Sequence, residues 1–429
     1  MKSIKEIYKI GNGPSSSHTI GPKRAAEYVL DKYKDATLIE AILYGSLSLT
    51  GKGHLTDYII LETLKEKGKV TFSNKLEGLE HPNTLEFNIY RNDELIGNEV
   101  IYSIGGGFIK IKGEEALETK DIYKQTTFDE IKKYIKENNI TLLDYIYQNE
   151  DDTFKDYLHE VYVVMLEAIE RGIHKEGTLP GSLQVKRKAY DLYHQKRIFE
   201  TPQVQNTRLI SSYAFAVSEE NASGGLIVTA PTCGACGVVP AVLRYLKDNN
   251  IPYENLIDGL AVAGLVGDLI KQNASISGAE CGCQAEVGSA CSMAAALYCT
   301  ATRTSLAQLE NAMEMALEHN LGLTCDPVEG YVQIPCIERN AVAALRALDV
   351  AIIASTLENN VTKVSFDEVT KTMYETGLSL NSDYKETSVG GLAKILKKDA
   401  KNIGGLNIFG EKFGDHPIGI VVKVTYKND

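Results

Sequence analysis

Eight cysteines are the side chains in this 429-residue chain whose chemistry and placement first suggest a function. All of them fall between positions 233 and 336, whereas the first 232 residues contain none. In the stretch GLTCDPVEGYVQIPC, residues 322–336, Cys325 and Cys336 stand eleven positions apart, each close to a proline. That spacing is too wide for a CxxC redox motif. We therefore expect one part of the chain to carry the thiol chemistry, with its cysteines placed to hold a ligand.

The local sequence favours helix starts at two of these cysteines. Small residues from Gln284 onward, in QAEVGSACSMAAALYC, predict a tightly packed helix with Cys283 in its first turn. Pro335 suits the first position of the helix predicted over PCIERNAVAALRALDVAII, which puts Cys336 in the opening turn. A helix N-terminus lowers the pKa of a cysteine and favours the thiolate, which is the form that binds metal.

The thiols are candidate metal ligands, because soft thiolates select zinc or an iron–sulfur cluster over hard cations. A structural zinc site usually takes two short pairs of ligands, and the segments 233–236 (CGAC) and 281–283 (CGC) offer such pairs. The widely spaced set Cys283, Cys325 and Cys336 fits a cluster better, because a bulky cube can be held from separate segments. Three ligands would leave one iron of the cluster open.

Composition and the N-terminal sequence predict a soluble cytoplasmic protein. MKSIKEIYKIGNGP lacks the apolar core and cleavage site of a signal peptide, and no apolar run reaches the roughly 20 residues that cross a bilayer. A net charge of -12 argues against binding to nucleic acid or to an anionic membrane. In a reducing compartment the cysteines are not expected to form disulfides, and Cys291 and Cys299 are interpreted as small buried hydrophobes. Small-molecule chemistry is the expected class of function.

Two histidines stand among glycines and hydroxyl residues, His18 in SSSHT and His54 in GKGH. The surrounding glycines do not match the dinucleotide or phosphate-loop patterns. A histidine in a loop is more often a structural hydrogen-bonding residue, and the alternative is general acid–base catalysis. The residues by themselves leave both interpretations open.

Polar residues near the cysteines allow similar alternatives. Asn273, Ser275 and Ser277 in NASISG are either turn and N-cap residues or groups that hold a substrate carboxylate or amine. The basic run at 186–188 usually marks a solvated face. In an acidic protein that acts on a carboxylate, Lys186 from this run is a candidate substrate clamp.

The pattern of predicted elements divides the chain in two. Up to about residue 112, β-prone runs such as LEFNIYRN alternate with helical segments such as PKRAAEYVLDKYK. Residues 113–155 are charged and are interpreted as a connecting segment. Beyond them apolar residues recur at spacings of three and four, as in SLAQLENAMEMALEHN, which predicts helices. The expected fold class is α+β multidomain, with an N-terminal α/β domain and its linker over residues 1–150 and an all-α helical domain over 151–429.

Several segments, in the same order along the chain, resemble the iron–sulfur-dependent L-serine dehydratases, also called L-serine ammonia-lyases. They are GPSSSHTIGP, YGSLSLTGKGHLTD, YSIGGGF, TAPTCGACGVVPAV, NASISGAECGCQAEVGSACSMAAA, LEHNLGLTCDPVEGYVQIPCIERNA and MYETGLSLNSDYKETSVGGLA. In that family three cysteines hold a 4Fe-4S cluster, and they correspond here to Cys283, Cys325 and Cys336. By the same resemblance His18 and His54 belong to the substrate pocket.

The resemblance implies deamination of L-serine to pyruvate and ammonia, without pyridoxal phosphate, in amino-acid catabolism and gluconeogenesis. It also implies a single-chain enzyme that forms a homodimer, acts on a small amino acid, and binds neither nucleic acid nor membrane. An open iron acts as a Lewis acid on the hydroxyl group while a side-chain base takes the α-proton. Threonine or cysteine as substrate is an alternative, and so is a non-catalytic zinc or redox thiol protein.

Two positions depart from the family pattern. Cys233 stands where an asparagine suited to binding substrate is expected. The carboxyl end, HPIGIVVKVTYKND, contains no cysteine, whereas some members have a terminal cysteine that reaches the open iron. We therefore expect water or hydroxide to cap the open iron when substrate is absent.

Overall fold

The structure is a computed structural model, and it describes residues 1–75, 78–114, 120–195, 199–357, 362–388 and 390–395. Contacts among these residues group them into two compact units, which we call the mixed unit and the helical unit. The described part of the mixed unit comprises residues 17–75, 78–114, 328–330, 388 and 390–395. That of the helical unit comprises residues 1–16, 120–195, 199–327, 331–357 and 362–387.

Strands and helices are numbered here in chain order. The strands are β1 (Ile10–Asn12), β2 (Leu38–Leu43), β3 (Gly68–Phe72), β4 (Thr84–Arg91), β5 (Glu94–Gly105), β6 (Phe108–Ile111) and β7 (Leu226–Val228). The first helices are α1 (Gly21–Lys32), α2 (Ser46–Thr50), α3 (Thr56–Leu64), α4 (Phe128–Asn138), α5 (Leu142–Asn149), α6 (Phe154–Ile173) and α7 (Ala189–His194). The later ones are α8 (Pro202–Ala222), α9 (Val238–Asp248), α10 (Tyr253–Asn273), α11 (Gly278–Cys281), α12 (Ser289–Ala301), α13 (Leu306–Glu318), α14 (Cys336–Thr356) and α15 (Phe366–Ser379).

The mixed unit is built on a five-stranded sheet in the order β3-β2-β4-β5-β6. Strands β2 and β3 are parallel and are joined through α2 and α3, whereas the other neighbours are antiparallel. Alternate residues of β2 are buried, as the alternating apolar pattern LIEAIL requires when one face packs on a core. Helix α1 begins with Pro22 in its first turn and buries Ala25, Ala26 and Val29 in the same core.

The helical unit has α12 at its centre, in contact with α9, α10, α13 and α14. Helix α12 consists mostly of small residues and is almost entirely buried, which allows its neighbours to approach closely. At one such approach, a Cβ added at Gly259 of α10 would meet the carbonyl oxygen of Leu297 at 2.9 Å. Helices α4, α5, α13 and α15 each begin at a capping box, in which the N-cap hydroxyl and the third helical side chain satisfy the first free backbone N–H groups.

The expected fold class, an N-terminal α/β part followed by a helical part, is confirmed. The helical unit also contains a short antiparallel ladder, because β1 pairs with β7. Contact-defined units need not fold separately, so the predicted domain boundary at residue 150 stays a prediction. None of the helices in the described ranges is both long and apolar enough to span a membrane. The carboxyl end discussed above lies outside the described residues.

Candidate functional site

Cys283 lies at the start of the segment that leads into α12. It is the N-cap of a π-helical turn, Gln284–Gly288, which runs directly into that helix. The predicted helix start is therefore confirmed to within one residue. Gly282 before it has a φ of +75°, and a Cβ there would meet the carbonyl oxygen of Leu323 at 2.9 Å. This position favours glycine for both reasons.

Gln284 ties this turn to the segment that precedes Cys325. Its backbone N–H donates to the carbonyl of Leu323 at 3.1 Å, and its side-chain oxygen accepts from the N–H of Gly322 at 2.9 Å. The side chain is fully buried, and its amide also donates to the carbonyl of Cys281 at 2.9 Å. Hydrogen bonds around one buried amide thus bring together two thiols that are distant in sequence.

The backbone of Cys325 is held on both sides by a short segment at 384–386. The N–H of Cys325 donates to the carbonyl of Tyr384 at 2.8 Å, and its carbonyl accepts from the N–H of Glu386 at 2.7 Å. This pairing is a single parallel bridge with Lys385 between the two bonds. The thiol is therefore fixed although it lies outside any helix.

Cys336 is the first residue of α14, with Pro335 as the N-cap rather than the first helical residue. Asn340, one turn later and 1% exposed, donates to the carbonyls of Cys336 and Gly234, each at 2.8 Å. Its side-chain oxygen accepts from the N–H of Gly237 at 2.9 Å. The start of α14 is in this way fixed against the loop that carries Cys233 and Cys236.

Two of the three predicted cluster ligands meet at one point. The sulfur atoms of Cys283 and Cys325 and a carboxylate oxygen of Glu286 lie within 4.8 Å of one another. Within the described residues this is the only group of three or more histidine, cysteine, aspartate or glutamate residues with that property. Both thiols are buried, and Glu286 is partly accessible. Cys336 is not a member of this tight group.

The acidic groups of the site lie close together, and each of them is negatively charged when it is ionised. A hydrogen bond with Cys283, together with burial, holds the pKa of Cys325 well above its usual range. Burial raises the pKa of Cys336 as well, and Cys283 and Glu286 add to that effect. Burial also raises the pKa of Glu286, although a hydrogen bond from the Thr232 hydroxyl opposes the rise. Such a set can be ionised together only when a cation compensates the charge.

Arg339 is a cation of the protein at this site. It lies one turn after Cys336, and its guanidinium donates a hydrogen bond to Cys283. It also donates to the carbonyl of Thr324 at 2.5 Å and lies 3.5 Å from the carboxylate of Asp326. Burial alone would lower the pKa of Arg339, but the neighbouring Cys283 raises it above its usual value.

Sequence reasoning missed both Glu286 and Arg339. The signal that could have found them is their spacing, because each stands three positions after a predicted ligand, Cys283 and Cys336 respectively. Residues three apart in a helical turn lie on the same face, so a charged side chain at that position lies on the side of the helix that faces the thiol site.

Cys291 and Cys299 are buried, as expected for small hydrophobic residues of the core. Cys291 is fully buried, and its thiol donates to the carbonyl of Ala343 at 3.4 Å. Burial raises the pKa of Cys291 and of Cys299 to about 12. Among the described residues, the segments 233–236 and 281–283 do not bring four thiols together as a zinc site. The zinc alternative is therefore not favoured.

The two histidines singled out from the sequence lie side by side in the mixed unit. Their ring centroids are 4.6 Å apart, and the rings are tilted by 37°. Their backbones are cross-linked, because the Thr19 hydroxyl donates to the carbonyl of His54 at 2.8 Å and the Thr56 hydroxyl donates to that of His18 at 2.5 Å. Two loops of the sequence thus form one rigid pair of imidazoles.

A hydrogen bond defines the tautomer of His54. Nδ1 of His54 lies 3.1 Å from the carbonyl of Thr50, which can only accept, so neutral His54 carries its lone pair on Nε2. Nδ1 and Nε2 of His18 each lie 2.9 Å from a hydroxyl, those of Ser17 and Ser46. Burial lowers the pKa of His54 to about 4, and burial and the neighbouring His54 hold the pKa of His18 well below its usual range. Both imidazoles are neutral at pH 7.

Comparison with known proteins places these features in a family. The family model for the serine dehydratase alpha chain matches residues 90–393, and the model for the serine dehydratase beta chain matches residues 3–67. L-serine dehydratase 2 of Escherichia coli is 39% identical over 93% of this chain and 100% of its own length. The L-serine dehydratases of Haemophilus influenzae and Helicobacter pylori strain 26695 are each 39% identical over 92% of this chain and 99% of their length. The chain belongs to the serine dehydratase family.

This serine dehydratase combines in one chain what the two family models describe as separate chains. The beta-chain match contains both histidines, His18 and His54, and the alpha-chain match contains all eight cysteines. The identification of the family from the order of the sequence motifs is confirmed.

The predicted substrate-binding residues Asn273, Ser275 and Ser277 take part in hydrogen bonds within the protein. The Asn273 amide donates to the carbonyls of Thr126 and Leu269 at 2.7 and 2.9 Å. The Ser275 hydroxyl oxygen accepts from the N–H of Ser277 at 3.0 Å. The bonds to Leu269 and within Ser275–Ser277 are local helix-end and turn contacts, whereas the bond to Thr126 joins segments distant in sequence. The substrate-binding role of the three residues stays a prediction.

The basic run at 186–188 divides into three different environments. Lys186 is exposed, as a residue that meets a substrate carboxylate could be. Arg187 is buried, where it lies 3.3 Å from Glu220 and donates to the Ser223 hydroxyl at 2.7 Å. Lys188 forms an ion pair with an exposed glutamate at 2.6 Å. Lys186 stays the predicted clamp.

The donor set fits the cluster that the family resemblance implies. A single zinc ion with Zn–S bonds of about 2.3 Å needs its sulfur ligands within about 4 Å of one another. The tight group contains two of the three thiols and one carboxylate, and Cys336 is not part of it, so the three cysteines do not form one compact set of sulfur ligands of that kind. Buried thiols with raised pKa values also suit a positively charged group that stabilises their thiolate forms.

Proposed function

We propose that this protein deaminates L-serine to pyruvate and ammonia. The observation that carries the proposal is the match to proteins named L-serine dehydratase over 92–93% of the chain and 99–100% of their own length. A match of that extent includes the thiol site and the histidine pair together. Lyase activity on serine is therefore better supported than a zinc-binding or redox role.

The proposed cofactor is a 4Fe-4S cluster on Cys283, Cys325 and Cys336. When bound, a cluster with one iron free of thiolate supplies a Lewis acid for the serine hydroxyl group. The chain contributes an apolar setting around the thiols and one cation, Arg339, that offsets part of their negative charge. Only the cation favours the thiolate forms at neutral pH, because burial of the thiols by itself opposes their ionisation.

The proposed base is Nε2 of His54, which takes the α-proton of serine. A base must be unprotonated at the working pH, and a pKa of about 4 ensures this. Loss of the α-proton and of the hydroxyl group as water leaves aminoacrylate, which tautomerises to an imine. Hydrolysis of the imine consumes one water and releases ammonia and pyruvate. His18, with a hydroxyl at each ring nitrogen, is the proposed partner that orders the proton path.

The groups proposed to bind the rest of the substrate are Lys186, Asn273, Ser275 and Ser277. An ammonium group such as that of Lys186 suits the serine carboxylate. Because the Asn273 amide N–H groups are engaged with backbone carbonyls, its side-chain oxygen is the atom suited to the serine ammonium group.

We further propose that the protein is a cytoplasmic homodimer and acts in amino-acid catabolism and gluconeogenesis. These points rest on the family resemblance. Light scattering of the purified protein tests the dimer, with a mass twice that of the 47.1 kDa chain as the expected result.

The experiment that tests the proposed function compares thiol variants prepared without oxygen. Serine at Cys283, Cys325 or Cys336 is expected to abolish iron retention and the release of pyruvate and ammonia from serine. Serine at Cys291 or Cys299 is the matched control and should leave both intact. Threonine and cysteine are assayed beside serine, because pocket shape decides among them. Four irons retained by the Cys325→Ser protein, or no product from serine with wild type, would contradict the proposal.

A further inference from the structure

Glu286 occupies a position that the proposed thiol ligands alone do not explain. One of its carboxylate oxygens lies within 4.8 Å of the sulfur atoms of both Cys283 and Cys325. The two thiols are buried, whereas Glu286 is partly accessible. The carboxylate is therefore the one oxygen donor in a group whose other two members are buried thiols.

The carboxylate is built into this position rather than placed by chance. The Thr232 hydroxyl donates to Oε1 at 2.8 Å. Two glycines leave the necessary room, because a Cβ at Gly234 would meet Oε1 at 2.9 Å and a Cβ at Gly278 would meet Oε2 at 2.8 Å. The same Cβ at Gly278 would lie 3.1 Å from the sulfur of Cys325, so Oε2 is the oxygen on the thiol side.

We propose that Glu286 is a fourth, oxygen ligand of the metal centre, which caps the iron that the three thiolates leave open. The inference rests on the proposed cluster. It replaces the expectation that water or hydroxide alone fills this position.

The choice of a carboxylate for this position has a chemical consequence. Carboxylate oxygen is a hard ligand and a poorer match than thiolate for iron in a thiolate-held cluster, so its bond is the one that exchanges. The chain can then protect the open iron in the absence of substrate and yield the position to a substrate hydroxyl group. The Thr232 hydroxyl fixes the orientation of the carboxylate, as outer-shell partners of metal ligands do.

The test compares wild type with Glu286→Gln, Thr232→Val and Glu280→Gln, all reconstituted with iron-57 without oxygen. Glu280 is exposed and lies six positions before Glu286, so its variant is the matched control for loss of one carboxylate. The measurements are iron and sulfide per chain, the Mössbauer signal of the iron that lacks a thiolate, and the half-time of conversion to a three-iron cluster in air. None of them depends on turnover.

We expect Glu286→Gln to lose the fourth iron at least about tenfold faster than wild type, with the signal of that iron altered, as loss of a metal ligand predicts. Thr232→Val should lose the fourth iron at a rate between those of wild type and Glu286→Gln, and Glu280→Gln should lose it at the wild-type rate. An unchanged signal and half-time in Glu286→Gln would overturn the inference. If that variant does not fold, unchanged values in Thr232→Val overturn it. If the cysteine variants lose iron and Glu286→Gln does not, the proposed function is still supported, but Glu286 is not a ligand of the cluster.

Discussion

At the scale of the residue, burial sets the protonation state of the groups that carry chemistry, and it shifts the pKa in opposite directions for the histidine base and for the thiols. It makes the charged form of His54 unfavourable, which leaves a neutral base. It makes the charged forms of Cys325 and Cys336 unfavourable as well, which leaves thiols that need a cation before they ionise. The same desolvation thus prepares a base in one place and a metal-dependent ligand set in the other.

Replacement of His54 by asparagine tests the proposed base. The asparagine amide can still donate to the carbonyl of Thr50, but the variant has no basic nitrogen. Turnover of serine should fall at least about a hundredfold, which is typical for loss of a general base, while iron per chain stays at the wild-type value. Steady-state kinetics with iron analysis checks this. A turnover equal to that of wild type would show that His54 is not the base and that its role is structural.

The lowered pKa of His54 also predicts how stability depends on pH. In the unfolded chain the imidazole titrates near 6.5, and in the folded chain near 4. Between these values the unfolded state binds more protons, so this group destabilises the fold as the pH falls from about 6.5 to 4, by up to roughly 3 kcal/mol. Urea unfolding at pH 7.5 and pH 5 should show a smaller loss of stability for His54→Asn than for wild type. Equal losses would show that His54 does not titrate in this way.

At the scale of the element, each of the three proposed cysteine ligands lies at the end of a helix or in a hydrogen-bonded loop rather than in the middle of a helix. Cys283 precedes the turn into α12, Cys336 begins α14, and Cys325 is bridged by the segment 384–386. Side chains at helix ends and in loops can approach one site from different segments, because their backbones are not confined to the axis of a single helix. Their positions then depend on hydrogen bonds to other segments, of which those of Asn340 are an example.

Asn340→Ala is expected to destabilise the protein by about 2–6 kcal/mol. The change leaves the buried N–H of Gly237 and carbonyl of Gly234 without the partners they have in Asn340, and each such loss costs about 1–3 kcal/mol. Asn138→Ala is the control, because that exposed side chain makes one bond to a backbone carbonyl of its own helix. Chemical unfolding of the two variants provides the comparison, and equal effects would contradict the role given to Asn340.

At the scale of the whole molecule, the proposed cluster would cross-link the helical unit. Its ligands come from three separate segments, and the first and last of them, Cys283 and Cys336, are 53 positions apart in the sequence. A group that binds only the folded chain stabilises it by mass action. The stability of the helical unit is therefore expected to depend on metal.

Removal of iron by a chelator without oxygen should lower the melting temperature of wild type by several degrees, since each kcal/mol lost corresponds to about 2–4 °C for a unit of this size. The Cys325→Ser protein should melt at the lower temperature with or without chelator. Calorimetry of both proteins measures this. A wild-type melting temperature that does not respond to iron removal would argue against a cluster that joins these segments.

Much of the fold could be predicted because the signals are local. The three and four spacing in SLAQLENAMEMALEHN predicts α13, and the alternating residues of LEFNIYRN correspond to β4. The order of the motifs was sufficient to identify the family. The short ladder of β1 with β7 was not predicted, because three-residue strands carry little periodicity and pair across more than 200 positions.

The sequence by itself determined which residues could be ligands and bases, since side-chain type and position in a helix or loop depend on near neighbours. Tertiary structure decided which of them meet. Cys283 and Cys325 are 42 positions apart, and the buried amide of Gln284 brings their segments together. Tertiary structure also brought Glu286 to the thiols and made both histidines neutral. These features depend on packing and desolvation by segments remote in sequence, and such energies exist only once the chain has folded.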